Sequence, residues 1–301
     1  ECLPTTDNSS NDCGLSLQNA HKKGVKILKG YRVEDITVTD GLFEVKTNVE
    51  TMIAEKLVVA SGNSTGIWSI LGRLGHRIVS PVPSLFTFNI KDTRLENLAG
   101  VSLPEVEIKV VESKLVSTGA LLITHWGLSG PSILRLSAWG ARAFFDNKYQ
   151  FEISVNWTGF EKIDSVKDAL NDCKSIHSKK MIANTPKYNV PSRLWEKLVE
   201  AASIPTDIRW ADMSKIQLQK LAEQLTQSLF SVVGKSTFKE EFVTAGGVDL
   251  AEINFKTFES KLIPNLFFAG EVLNIDAITG GFNFQAAWTG GWIVGNTVAE
   301  K

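Results

Sequence analysis

Leu266-Phe-Phe-Ala-Gly-Glu271, followed by Thr279-Gly-Gly-Phe-Asn-Phe-Gln285, decides how this chain is read. Four adjacent apolar residues, Leu266 to Ala269, predict a strand buried on both faces and ended by Gly270. In open α/β sheets ligands gather at such carboxyl ends. Gly280-Gly281 then opens a predicted helix in which Ala286, Ala287, Gly290 and Gly291 recur at three- to four-residue spacing. That spacing gives a flat face against which a sheet or a flat ring can lie. The free N–H groups of the first turn, residues 281 to 283, would carry the positive end of the helix dipole and suit an anion or an electron-rich carbonyl. A lone glycine pair is equally an ordinary tight turn between strand and helix. Here a glycine-acid pair, a glycine pair and the Asn283 amide fall together between Leu266 and Gln285, which favours a ligand site.

Outward from this stretch, Leu57-Val-Val-Ala-Ser-Gly62 reads as a second fully buried strand with a glycine exit. It is preceded by a β-meander. Val25 to Leu28 starts a strand, Lys26 to Thr39 and Leu42 to Thr47 are β-rich, and Asp40-Gly41 between them is a strong hairpin signal. A third strand is expected at Thr51 to Ala54. Leu15 to Lys23 reads as the end of a helix stopped at Gly24.

Three blocks carry a resemblance. They are Phe242 to Leu250 with Thr257 to Lys261 and the two opening motifs; Leu122-Ile-Thr-His-Trp-Gly-Leu-Ser-Gly-Pro131; and Leu57 to Gly62 with Leu74-Gly-His76 and Pro81 to Leu85. Taken in chain order they resemble a family of bacterial flavoproteins described as BaiN-like, YhiN-like or aminoacetone oxidase-like NAD(P)/FAD-dependent oxidoreductases. The resemblance implies an α/β fold: an FAD/NAD(P)-binding Rossmann-like domain interrupted by an inserted β-rich plus helical domain. On that pattern residues 1–76 are the first part of the FAD-binding domain, 77–159 the inserted β-rich domain and 160–230 an inserted helical subdomain. Residues 231–244 are its return strand, and 245–301 the C-terminal part of the FAD-binding domain.

Members of that family open with a strand, a G-x-G-x-x-G turn and a helix that hold the FAD pyrophosphate. No G-x-G-x-x-G occurs in these residues, and the chain starts at Glu1-Cys-Leu-Pro. The expectation is that about the first hundred residues of a usual member are absent, the length of such a βαβ opening and its following helices.

The resemblance implies FAD as cofactor, with NAD(P)H as a possible electron donor and an unknown small-molecule substrate, while the cysteine usage makes a reducing cytoplasm the default setting. Gly270 and Glu271 match the pair expected at the pyrophosphate and ribityl hydroxyls. Gly280, Gly281, Phe282 and Asn283 match the turn expected to face the flavin ring. Ser61 and Gly62 end a strand where the phosphates or ribityl chain pass, and Val33 matches a position whose backbone contacts the adenine. Relatives commonly carry Asp at the position of Asn274 and Gly near Ala277. A non-catalytic fragment, or a cofactor-independent binding protein on a degenerate flavoprotein fold, would fit the missing phosphate turn.

Composition narrows the classes further. The 301 residues are 43% hydrophobic and 22% charged with a net charge of −1, which argues against nucleic-acid and polybasic membrane partners. No run reaches the length of a membrane helix. Cys2, Cys13 and Cys173 are odd in number and lack C-x-x-C spacing, and His21, His76, His125 and His177 are scattered, so no disulfide framework or metal site is expected.

Within the insertion, Ser84 to Ile90 and Phe151 to Val155 are the clearest strands, and Ser214-Lys-Ile-Gln217 fits a capping box. Trp195 and Trp210 read as core. Pro131 suits the first position of a helix whose amino end lies near Thr124 and His125. His125 could donate a proton to a substrate carbonyl, Thr124 standing beside it, or its ring could simply satisfy a backbone carbonyl in a turn.

Overall fold

The computed structural model describes residues 17–236 and 243–300. Cys2, Cys13, Phe242 and the expected helix start at Leu15 lie outside the described residues. The chain divides after Leu57 into two compact units.

In the first unit, residues 17–22 are helical and the chain then turns at Gly24. Strands β1 (Val33–Thr39), β2 (Leu42–Thr47) and β3 (Thr51–Ala54) form an antiparallel meander. Asp40 and Gly41, at φ of 51° and 80°, both sit in the left-handed region. That is the backbone which a two-residue turn between right-twisted strands demands and which Asp-Gly adopts readily. Ile36, Phe43 and Val45 are buried. The expected strand from Val25 is corrected: ordered pairing begins only at Val33. Gly30 turns the backbone at φ 79°, and the Asn48 side chain takes the Arg32 N–H and donates to the Gly30 carbonyl. The polar groups of this stretch are thus met by a side chain instead of a ladder.

The second unit opens at Val58, within β4 (Leu57–Val59), a strand that neighbours β15 (Leu266–Phe268) in a four-stranded sheet ordered β13-β14-β15-β4. Here β13 is Ile253–Asn254 and β14 is Glu259–Ser260. Helix α1 (Thr65–Arg73) follows, its Ile67 N–H capped by Ser64 Oγ. The Trp68 indole N–H donates to the Val272 carbonyl at 2.9 Å, tying α1 to the loop beyond β15. Strands β5 (Ile78–Ser84) and β12 (Val243–Val248) pair antiparallel as a two-stranded ribbon.

Beyond that ribbon six antiparallel strands close into a barrel: β6 (Thr87–Ile90), β7 (Ser102–Val110), β8 (Val116–Ile123), β9 (Gly127–Ser129), β10 (Phe151–Asn156) and β11 (Ser228–Ser236). They run in the order β10-β11-β6-β9-β8-β7. Closure removes the exposed edges of an open sheet. A Cβ on Gly127 would lie 2.2 Å from the Phe88 carbonyl oxygen, so β6 and β9 approach closely only because that side chain is absent. Inside, Phe86, Phe88 and Phe144 are buried, and Phe144 stacks on Phe151 with centroids 4.1 Å apart. Helices α2 (Pro131–Trp139) and α3 (Ala141–Asp146) connect β9 to β10.

Between β10 and β11 stand α4 (Ile163–Ile176), α5 (Ser192–Ala201) and α6 (Lys215–Thr226). Leu170, Leu194, Leu198, Leu221 and Leu225 from these helices join the barrel residues in one continuous core. Trp157 seals the junction, its N–H reaching the Leu225 carbonyl and its indole the Ser228 hydroxyl. The capping box forms in full, Ser214 Oγ accepting from Gln217 N–H and the Gln217 side chain accepting from Ser214 N–H. Trp195 and Trp210 are both fully buried.

Candidate functional site

The last strand and helix meet the barrel around a cavity of about 690 Å³. Its wall comes from Ala60 and Gly62 beyond β4, Ala269 to Glu271 beyond β15, Ile278 to Gly281, and Asn283, Phe284 and Ala287 of α7 (Phe282–Ala299). Leu85, Leu134 and Val243 complete it. Sequence-predicted Gly62, Gly270, Glu271, Gly280, Gly281 and Asn283 are therefore brought to one concavity.

The turns are built by backbone that disfavours side chains. Gly62, Gly270, Gly280 and Gly281 lie at φ of 64°, 78°, 118° and 85°. A Cβ on Gly281 would meet nothing within 4 Å. Space is thus open above the residue that precedes α7, and the left-handed backbone supplies the reason for glycine. Helix α7 has no side-chain cap and no acid in its first turn. Its first intrahelical bond runs from Gln285 N–H to the Gly281 carbonyl at 2.9 Å, so the N–H groups before Gln285 have no helical partner.

Asn283 does something the sequence does not announce. Its carbonyl oxygen accepts the Ala277 N–H at 2.9 Å and its amide donates to the Ala277 carbonyl at 3.0 Å. Both functions of the amide clamp the Ala277 to Gly280 loop against the helix start. Asn274, at one of the positions unlike the family pattern, accepts from Arg142 at 3.4 Å, while Arg142 also donates to the Ser80 carbonyl.

Glu271 lines the cavity half-buried, and burial holds its carboxyl above the usual glutamate range. Among the described residues no donor or cation pairs with it. Nearby in sequence, Asp276 is raised by burial too, against the opposing positive charge of Arg142. Leu85 is a wall residue that sequence reading missed as a site residue. It stands at φ 55°, a strained conformation for a leucine and one often found beside binding sites.

The small-residue face of α7 divides its work. Gly290 packs against the Phe258 ring and Ala287 faces Gly270, whereas Gly291 is exposed. Phe282, Phe284, Trp288 and Trp292 are each more than half exposed.

Other predicted residues lie elsewhere. Ser61 is exposed and Phe282 opens α7, and neither is among the wall residues. Val33 begins β1 in the first unit, paired with Thr47. Thr124 and His125 form the tip of the β8–β9 hairpin, with Thr124 bonded to Gly127 and to the Trp126 N–H. Strand β9 separates them from the start of α2, whose cap is Gly130 at φ 96°, and they do not line the cavity.

A constellation absent from the sequence reading surrounds His76, whose side chain is fully buried. Its Nδ1 is 2.8 Å from Glu252 Oε2 and its Nε2 is 3.1 Å from Ser260 Oγ. Residues separated by more than 170 positions make it, so no local spacing could reveal it. Among the described residues no cluster of His, Cys, Asp and Glu could hold a metal, and no helix is long and apolar enough to cross a membrane.

Comparison with known proteins places the barrel and helices. Residues 82–243 match the model of the HI0933-like protein barrel and H2TH domain, over half of the chain. The chain is 30% identical to a ribosomal RNA dihydrouridine synthase of Escherichia coli, an alignment covering 83% of this chain and 62% of that protein. It is 24% identical to a 3-dehydro-bile acid delta(4,6)-reductase of Clostridium scindens, covering 99% and 75%. A ribosomal RNA dihydrouridine synthase of Haemophilus influenzae is 28% identical, covering 93% and 70%. The chain thus spans less than two thirds of the length of the Escherichia coli relative.

Proposed function

The chain belongs to the HI0933-like family, and from that premise we propose that it is a flavin-dependent oxidoreductase that reduces a carbon–carbon double bond conjugated to a carbonyl. The single observation that carries this reading is the cavity at the start of α7, where an uncapped helix end, glycines in the left-handed region and an unpaired carboxylate converge. These features fit a flavin. The ring edge that becomes electron-rich on reduction suits the N–H groups of Phe282 and Asn283 and the helix dipole behind them. Glu271 suits the ribityl hydroxyls as an acceptor, and Gly62 and Gly270 leave room for close approach of a backbone to the ligand.

Bound FAD would supply hydride chemistry, drawn from NAD(P)H as the proposed donor. This chain's own residues would orient the ring and exclude water. The names of the relatives share one kind of chemistry. Dihydrouridine is uridine whose ring double bond, conjugated to a carbonyl, has been reduced, and the bile acid enzyme is likewise named as reducing double bonds. In such a reaction hydride adds at the carbon remote from the carbonyl and a proton at the adjacent carbon.

The test is the visible spectrum of the purified full-length protein, followed by heat release and titration of the stripped protein with FAD. A yellow protein that releases and retakes FAD supports the reading. A colourless protein that takes up no added FAD sinks it.

A further inference from the structure

Between Cys173 and Trp195 the chain carries Lys174, Lys179, Lys180, Lys187 and Arg193 but no acidic residue, in a sequence whose cations and anions number 32 and 33. This run covers the end of α4, the connection to α5 and the start of that helix. Folding gathers part of it. The Lys180 N–H donates to the His177 carbonyl, and the Trp210 N–H donates back to the Lys180 carbonyl. Met181 bridges Arg209, which brings a further cation alongside. Burial first, and then the positive charges of Lys187 and Lys180, hold His177 below the ordinary histidine range.

Lys174 is committed to the Met213 carbonyl and Arg193 to the Asn97 carbonyl. Lys179, Lys180, Lys187 and Arg209 differ: no carboxylate among the described residues pairs with any of them. Lys179, Lys180 and Arg209 are exposed. Ile176 and Met181, 71% and 42% exposed, stand among them as apolar contacts of the kind a ribose or base covers. Unpaired cations held together by a packed core await an extended anion, because their mutual repulsion falls when one binds. The chain-wide charge of −1 is an average that conceals this local excess.

We propose that this face of the helical insertion grips the phosphate backbone of a structured RNA, with Lys179, Lys180, Lys187 and Arg209 as the contacting residues, and so presents that RNA as the substrate. The part about substrate rests on the reductase reading above; the grip itself does not. Phosphate contacts of this sort fix register and orientation, while the base would be chosen elsewhere.

The experiment measures binding of purified bacterial ribosomal RNA by the full-length protein across a salt series. The triple variant K179E/K180E/K187E is compared with K91E/K114E/K148E, an equal charge change at exposed lysines elsewhere. The first triple should lose affinity at least tenfold at low salt and flatten the slope of log affinity against log salt by about 2, three phosphate contacts at 0.7 to 0.9 each. The control triple should stay close to wild type, and both should retain the wild-type flavin content and thermal midpoint. The proposal is overturned if wild type binds no RNA, if the two triples lose affinity equally, or if vesicles of phosphatidylglycerol compete as well as RNA does. A colourless protein that still binds RNA through these lysines overturns the reductase reading and the substrate role but leaves the grip standing.

Discussion

Replacing Asn283 by alanine tests whether the cavity is held ready by its own loop. The variant removes two hydrogen bonds to Ala277, at 2.9 and 3.0 Å, and leaves that residue's N–H and carbonyl to find water. Each bond contributes about 1 kcal/mol net, so the closed loop loses about 2 kcal/mol relative to open forms. If the ligand binds only the closed loop, the whole loss appears in affinity, roughly thirty-fold in Kd at 1.4 kcal/mol per tenfold. Because Asn283 is half-buried at the start of α7 and outside the main core, the thermal midpoint of the flavin-free protein should fall by less than about 4 °C. The assay is quenching of FAD fluorescence on titration into stripped full-length protein, with hydrogen exchange at the Ala277 amide as the structural readout. Unchanged affinity with faster exchange at Ala277 would refute the reasoning, since the clamp would then be open without consequence for the site. A fall in midpoint as large as that of a core mutation would refute it differently, by showing that Asn283 supports the fold and not the loop alone.

Glu271→Gln should weaken FAD binding while making the flavin-free protein less sensitive to pH. Burial raises the folded-state pKa of Glu271, so its contribution is fully present below the unfolded value and is lost as pH rises through the folded one. Melts at acid and neutral pH should therefore show the variant gaining on wild type toward neutrality, with Asp276 keeping its own share of the slope. Gly127→Ala should cost about 4 kcal/mol or more, because the new Cβ meets the Phe88 carbonyl at 2.2 Å and the Ile90 nitrogen at 2.6 Å. A urea midpoint near that of wild type would show that β6 and β9 can separate freely. Trp210→Phe should be more stable than Trp195→Phe by about 2 kcal/mol in denaturant unfolding. The first deletes a buried indole N–H that has no partner, and the second deletes a bond to the Ile182 carbonyl at 2.8 Å. Equal losses would mean that the Trp210 nitrogen is satisfied by bound water.

What could be read from the sequence is what local backbone chemistry fixes. Asp40-Gly41 announces its turn because few dipeptides tolerate two left-handed residues. Ser214 and Gln217 announce a helix start because each satisfies the other's backbone. Gly270, Gly280 and Gly281 gather at one cavity because strand, turn and helix are consecutive in the chain. Barrel closure is not of this kind. Strand β11 returns to pair with β10 and β6 only after the three helices have intervened, and no periodicity in either strand names its partner. The missing strand between Val25 and Arg32 fails for a similar reason, since apolar residues predict burial but the ladder depended on where Asn48 would point. Leu134 reaches the cavity from α2, a helix that sequence reading associated with Thr124 and His125 instead.

The His76 constellation shows why geometry needs its hydrogen-bond accounting before it is given a role. Serine, histidine and glutamate at 3.1 and 2.8 Å match the spacing of a nucleophilic triad. Yet Ser260 Oγ also accepts the N–H groups of Leu262 and Ile263, both at 3.0 Å, which directs its own hydrogen to His76 Nε2. The imidazole then carries its proton on Nδ1 and donates to Glu252, which also accepts the Arg77 N–H. With the His76 side chain fully buried and the serine oxygen already engaged, no substrate can reach a nucleophile here. The network instead joins the segment after α1 to β14, and the His76 ring packs edge-on to Phe268 of β15 at 5.2 Å. Strand β15 delivers Gly270 and Glu271 to the cavity. A buried, fully bonded histidine behind it fixes where those two residues stand, so its contribution to the site is the rigidity of the floor.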